Sequence, residues 1–144
     1  MAVVNPYLNF EGNCEEAFEF YKSVFGGEFL GGPMRFGDTP GCGEMPDAEK
    51  NQIMHIALPI SAGNVLMGSD CPSSMGPVTH GTANTIAIGT DSIEETEKIF
   101  NGLSEGGKVM MPLQKMFWGG YFGNWEDKYG VQWLINFQED MPAH

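Results

Sequence analysis

The 144-residue sequence predicts an α+β fold of two tandem βαβββ modules. Three observations carry that expectation: a repeat at an offset of 79 residues, helical apolar spacing at the same place in both copies, and short β-like runs after each helix. Setting NPYLNFEGNCEEAFEFYKSVFGG, from Asn5, over NTIAIGTDSIEETEKIFNGLSEGG, from Asn84, pairs Asn5 with Asn84, Glu15 with Glu94, Glu16 with Glu95 and Gly27 with Gly106. Apolar character is kept where Tyr7 meets Ile86, Phe20 meets Ile99, Tyr21 meets Phe100 and Val24 meets Leu103.

Each copy opens with a short strand, VVNPYLNF and NTIAIGT. A helix follows. Asn13 with Glu16, and Ser92 with Glu95, have the spacing of a side-chain cap and its reciprocal acid. Ala17, Phe20, Tyr21 and Val24 then recur at helical intervals in the first copy, and Ile99, Phe100 and Leu103 in the second. Gly26-Gly27 and Gly106-Gly107 end the helices. Three strands complete each module: EFLGGPMRFGD, QIMHIALPI and NVLMGSD in the first, with the polar loop TPGCGEMPDAEK after the leading one, and KVMMPLQKMF, YFGNW and VQWLINF in the second. The expected division is module 1 over 1–72, a Pro/Gly/Ser linker over 73–83, module 2 over 84–138 and a short tail over 139–144, all within one domain.

Composition narrows the function. Seven basic against nineteen acidic residues give a net charge of −12, which repels phosphate backbones and anionic lipid and argues against a nucleic-acid partner. It suits a cationic ligand. No apolar run reaches the length of a membrane span, and MAVVNPYLNF has neither a basic start nor a cleavage site, so the expectation is a cytoplasmic protein without membrane association. Cys14, Cys42 and Cys71 are odd in number and form no C-x-x-C pair, which disfavours a disulfide scaffold and a zinc ribbon. Glu44, Asp47 and Glu49 read as a solvated acidic loop.

Trp118-Gly119, then Asp127 and Gly130, resembles the W-G…D-P-D-G turn that precedes the last strand in the vicinal oxygen chelate superfamily, which includes glyoxalase I, the bleomycin-resistance proteins and the extradiol dioxygenases. YLNFEGNCEEAFEFYKSVFGGE, IMHIALPISAGNVLMGSD and MPLQKMFWGGYFGNWEDKYGVQWLINF resemble its PhnB-like branch more closely. That branch also carries a 3-demethylubiquinone methyltransferase label. The chain offers no support for it: the glycines at 26, 27, 31 and 32 follow a helix, whereas a nucleotide-type cofactor site needs them before one. The resemblance implies that the two modules build a concave mixed sheet with a ligand cavity, within one chain or across a homodimer, and a homodimer is expected.

Metal-dependent members place four His or Glu ligands on the first and last strands of the modules. Carried over, those positions fall on Pro6, with Tyr7 adjacent, and near Met67, Thr85 and Leu134. None offers imidazole or carboxylate, and slipping to Gly68, Asn84 or Trp133 does not help, so no metal and no cofactor are expected.

His55 is the candidate for chemistry. In QIMHIALPI, Met54, Ile56, Leu58 and Ile60 share one face, and Ile53, His55 and Ala57 the other. The first face suits a helix, which leaves His55 on the cavity side as an anchor or a general acid/base; the other reading is a core histidine bonded to backbone or water. In VQWLINF, Trp133 falls on the helix side with Val131, Ile135 and Phe137, and Leu134 on the cavity side with Gln132 and Asn136. Trp118 is expected near the cavity mouth or at a subunit contact, and Trp125 stays unassigned. The expected ligand site is therefore His55, Tyr7, Met67, Trp118 and Leu134. The primary reading is a metal-independent binder of a small aromatic or cationic molecule. Binding comes first because losing the metal removes the electrophile and no paired carboxylates replace it; the alternative is a lyase, isomerase or transferase using His55 as acid/base.

Overall fold

A computed structural model describes residues 2–38, 45–61, 63–72 and 76–138. Cys42, Glu44 and His144 lie outside the described residues. The chain divides into two compact units, Met1–Thr79 and His80–His144.

In the first unit, β1 (Tyr7–Phe10) leads to α1 (Cys14–Phe25), β2 (Met34–Arg35), a 3-10 turn (Phe36–Asp38), α2 (Asp47–Lys50), β3 (Ile53–Ser61) and β4 (Asn64–Asp70). The second contains β5 (Ile86–Gly89), α3 (Ile93–Ser104), β6 (Lys108–Lys115), β7 (Tyr121–Glu126) and β8 (Gln132–Phe137). Each holds one four-stranded mixed sheet, ordered β1-β4-β3-β2 and β5-β8-β7-β6. The first strand of each module runs parallel to the last, and the remaining pairs are antiparallel. This is the α+β arrangement of two βαβββ modules. Two details differ from the sequence expectation. The strand in EFLGGPMRFGD shrinks to two residues, because Gly31 and Gly32 at positive φ precede Pro33 and leave only Met34 and Arg35 free to pair with β3. The loop before β3 contains the single helical turn α2.

The bounds of β1 and α1 recur in β5 and α3 at the predicted offset, yet the strand side chains do not keep step. Tyr7 pairs with Met67, while Leu8 pairs with Gly68, the glycine beneath Phe18 of α1. Leu8 and Phe10 therefore face the helix, and Tyr7 faces away. In the second unit Ile86 pairs with Trp133, on the helix side. The Tyr7–Ile86 equivalence thus fails by one residue, which flips the face.

Each core lies between one helix and one sheet. On α1 the buried residues are Cys14, Ala17, Phe18, Tyr21 and Val24. Phe18 replaces Phe20 among the expected core residues, since positions 14, 17, 18, 21 and 24 form one continuous stripe. Phe18 sits edge-on to Phe10 and Tyr21. On α3, Thr96, Ile99, Phe100 and Leu103 are buried. Phe100 meets Trp125 edge-on at 5.1 Å, and Trp125 stacks on its cross-strand partner Trp133 at 6.4 Å and 9°. Both tryptophans are fully buried, so Trp125 is core as well as Trp133.

Candidate functional site

The face of each sheet turned away from its helix carries the candidate residues. In module 1 the strand registers align Tyr7 with Met67, Met67 with Ala57, and His55 with Met34. Tyr7, His55, Ala57 and Met67 consequently share that open face. The rings of Tyr7 and His55 are stacked, with centroids 6.0 Å apart and planes inclined by 27°. His55 is half-buried, and its imidazole has no hydrogen-bond partner among the described residues. Its alternation partner Ile53 is fully buried, with its N–H donating to Asp70 Oδ2 at 2.9 Å.

In module 2, Leu134 pairs with Asn124 and Ala87, and Phe122 pairs with Asn136, opposite the helix-side pairs Trp125–Trp133 and Gly123–Ile135. Trp118 stands on the β6–β7 hairpin, edge-on to Phe117 at 5.0 Å and to Phe122 at 6.2 Å. Its indole edge and the Asn136 side chain meet over Gly120, where an added Cβ would lie 2.6 Å from Trp118 Nε1 and 3.0 Å from Asn136 Oδ1. The five predicted residues thus form two groups: Tyr7, His55 and Met67 on one open face, Trp118 and Leu134 on the other. Alternation had already put Asn136 beside Leu134. Asn124 needed the β7–β8 register.

The acidic residue of the W-G…D…G stretch has a structural task. Asp127 is buried, accepts from the N–H groups of Tyr129 and Val131 through Oδ1, and accepts from Trp133 Nε1 at 2.8 Å through Oδ2. Gly130, at φ 94°, closes this turn by donating to the Asp127 carbonyl. The aspartate therefore fixes the turn and anchors the core tryptophan.

The positions that the resemblance assigns to a metal, Pro6, Met67, Thr85 and Leu134, offer neither imidazole nor carboxylate. Met67 offers a thioether, Leu134 only carbon, and Pro6 contributes its carbonyl to the Met67 N–H within the sheet. Tyr7, rather than Pro6, shares the open face with Met67. Among the described residues no group of three or more His, Cys, Asp or Glu side chains could hold an ion. Nor does Cys14 supply a nucleophile. Burial, with the charges of Asp70 and Glu15 adding, pushes its thiol far above the usual range. Elsewhere in the first unit, an open recess of about 310 Å³ is lined by Glu11, Glu49, Gln52, Cys71, Gly76 and Pro77, and includes none of the predicted residues. No helix among the described residues is long and apolar enough to cross a membrane.

Comparison with known proteins agrees with this architecture. The model of the Glyoxalase/Bleomycin resistance protein/Dioxygenase superfamily matches residues 4–135. Protein YjdN of Escherichia coli (strain K12) is 29% identical over 148 residues, covering 97% of this chain and 98% of its own. The crystal structure of protein PA1353 from Pseudomonas aeruginosa is similar at a TM-score of 0.84 and 38% identity, over 97% of this chain and 100% of that one. The PhnB protein from Bacillus cereus follows at a TM-score of 0.70 and 28% identity, over 93% and 98%. The chain belongs to the Glyoxalase/Bleomycin resistance protein/Dioxygenase superfamily, in its PhnB-like branch.

Proposed function

We propose that this protein binds a small molecule on the open faces of its sheets without a metal, with His55 as the polar anchor on module 1. The supporting observation is the state of that side chain: a half-buried imidazole, stacked on Tyr7 beside Met67, with both ring nitrogens uncommitted to any described residue. Neither nitrogen is among the buried atoms without a partner, so both are reachable by a polar group of an incoming ligand. A face with apolar walls and one polar group is the usual composition of a small-ligand site. Leu134 and Trp118 supply the corresponding surface on module 2.

The acid/base reading has less support. A catalytic imidazole is normally oriented by a hydrogen bond from its second nitrogen, and no described carboxylate makes one to His55. Binding is therefore the reading the geometry supports best. The test is His55→Ala in a ligand-induced melting screen. The expected result is loss of the ligand shift with little change in the unliganded melt. A loss of ~1–3 kcal/mol in the unliganded protein would instead mark His55 as a packing residue. Elemental analysis and chelation check the metal-independent part, and a metal at about one per chain would overturn it.

The same reading includes a homodimer. It is supported by the exposed apolar side chains of module 2, where Phe117 is 96% exposed and Val109, Met110 and Trp118 are exposed with it. A monomer in sedimentation at micromolar concentration would refute it.

A further inference from the structure

Two amides on the open face of module 2 are held in one direction. The side-chain oxygens of Asn124 and Asn136 are buried and have no hydrogen-bond partner among the described residues. Their nitrogens are not among the buried atoms without a partner, and no described residue accepts from either. Each side chain therefore turns its oxygen inward and its NH₂ group toward solvent. Turning an amide over would bury two N–H donors in place of one oxygen, the costlier arrangement, so the donors stay outside. Trp118 adds another donor. Its ring is edge-on to Phe122 at 74°, and its Nε1, which meets no described acceptor, approaches the Asn136 side chain over Gly120. A Cβ at Gly120 would lie 2.6 Å from that nitrogen, so the approach needs a residue without a side chain.

The registers show what surrounds these donors. Across the sheet one row reads Met111, Asn124, Leu134 and Ala87, and the next reads Gln114, Phe122, Asn136 and Gly89. The two asparagines are diagonal neighbours, with Cα atoms about 7–8 Å apart by the geometry of such pairs. Neither row contains an ionisable side chain. Charge first enters in the row of Lys108, Glu126 and Gln132, where Glu126 accepts from Gln132 Nε2 at 3.0 Å. The complement follows from these atoms. N–H donors without acceptors call for a carbonyl-type oxygen, which accepts and brings no competing donor. A carboxylate would meet no cation in either row, within a chain of net charge −12, so the ligand is neutral. Phe122, Trp118 and Leu134 offer aromatic and aliphatic surface beside the donors, which suits a flat ring. We infer that the open face of module 2 recognises a neutral aromatic carbonyl compound, an aryl ketone or aldehyde in class, whose oxygen accepts from the Asn124 and Asn136 amides. This rests on the small-molecule reading above and narrows it to one class of ligand.

Acetophenone and α-methylstyrene test the inference, because they share a shape and differ only in C=O against C=CH₂. Each is titrated by calorimetry into the full chain and into Asn124→Leu/Asn136→Leu. Acetophenone should lose about tenfold in affinity on the double substitution, the scale of one good hydrogen bond, while α-methylstyrene holds or gains. Benzoate should bind the parent chain more weakly than acetophenone does. The melting temperature of the double variant should hold or rise, because it removes two buried oxygens without partners. Should that pair fail to fold, either single leucine variant must still lower the affinity for acetophenone and spare α-methylstyrene. Equal losses for the two compounds, or no loss for acetophenone, would overturn the assignment to these amides. Benzoate binding as tightly as acetophenone would overturn the neutral class. Silence of acetophenone, with hits elsewhere in a broad melting screen, would overturn the carbonyl inference and leave the small-molecule reading standing. Silence of the whole screen would overturn both.

Discussion

The two modules start their helices by different means. At the start of α3 the sequence neighbours do the work: Glu95 N–H donates to Ser92 Oγ at 3.1 Å, and Asp91 N–H donates to Glu95 Oε1 at 3.2 Å. Thr90 and Thr96 join hydroxyls at 2.5 Å one turn further in. At the start of α1, Asn13 makes no side-chain cap. Asp70, at the far end of β4, takes that place, and its Oδ1 accepts from the N–H groups of Gly12 at 2.8 Å and Cys14 at 3.0 Å. Its second oxygen holds Ile53 N–H at the start of β3. One helix is capped locally and can be read from four residues. The other is capped across the fold, so its cap exists only when β1, α1, β3 and β4 are assembled.

That difference sets the largest expected effect. Asp70→Ala strands three buried or part-buried N–H groups from three segments, and should cost on the order of 3–5 kcal/mol. Denaturant unfolding of the full chain measures it. Ser92→Ala, its counterpart in module 2, should cost only about 1 kcal/mol. Similar losses at the two sites would mean that the non-local cap is no stronger than the local one, and the contrast would fail.

A second pair of positions sharpens the comparison at intermediate size. Each module lays a helix phenylalanine over a strand glycine. A Cβ at Gly68 would lie 2.6 Å from the Phe18 ring and 2.8 Å from the Leu8 carbonyl oxygen. A Cβ at Gly123 would lie 2.8 Å from the Phe100 ring and 3.2 Å from Leu113 Cα. A ring can tilt away more readily than a paired backbone carbonyl can move. Gly68→Ala should therefore destabilise more than Gly123→Ala, with both inside ~1–3 kcal/mol. The reverse order in thermal melts would show that module 1 is the more adaptable of the two.

What could be read from the sequence follows the same division between local and distant. The repeat, both helices, Ser92 as a cap and Trp133 as core were legible, because periodicity and capping operate within a few residues. Asp70 was not, since nothing in NVLMGSD announces that its last residue reaches back to Gly12 and Cys14. Trp125 resisted placement for a related reason: its face depends on pairing with Trp133, and that register is set by the turn Asp127 holds. The slip between Tyr7 and Ile86 shows the limit of aligning copies by character. Both are apolar, yet Tyr7 pairs with Met67 on the open face and Ile86 with Trp133 on the helix side, although the strands and helices keep the same bounds. For the candidate site, alternation grouped His55 away from the helix-facing residues and Leu134 with Asn136. The stacking of Tyr7 on His55 and the idle oxygens of Asn124 and Asn136 required three dimensions.

The smallest effect concerns a contact in module 1. Arg35 spans from β2 to α1, meeting Glu15 in a two-point pair, with NH2 to Oε2 at 2.6 Å and NH1 to Oε1 at 3.2 Å, and it also donates to the Asn51 carbonyl at 2.7 Å. The hydrogen bonds from Arg35 outweigh the opposing effect of burial and, with its positive charge adding a smaller part, hold the Glu15 carboxyl below its ordinary value of 4.5. A carboxyl depressed on folding adds stability that is fully present above its unfolded pKa and is lost as the pH falls through the lower, folded value. Both side chains are about a third to a half exposed, so solvent screening limits the contribution to at most about 1 kcal/mol. The stability gap between the parent chain and Arg35→Met should therefore be constant near neutral pH and narrow as the pH falls below about 4.5. Salt should shrink the part that comes from charge. A gap that stays level through that acid range would mean the guanidinium contributes by packing its stem and by binding the Asn51 carbonyl, with no help from the charge on Glu15.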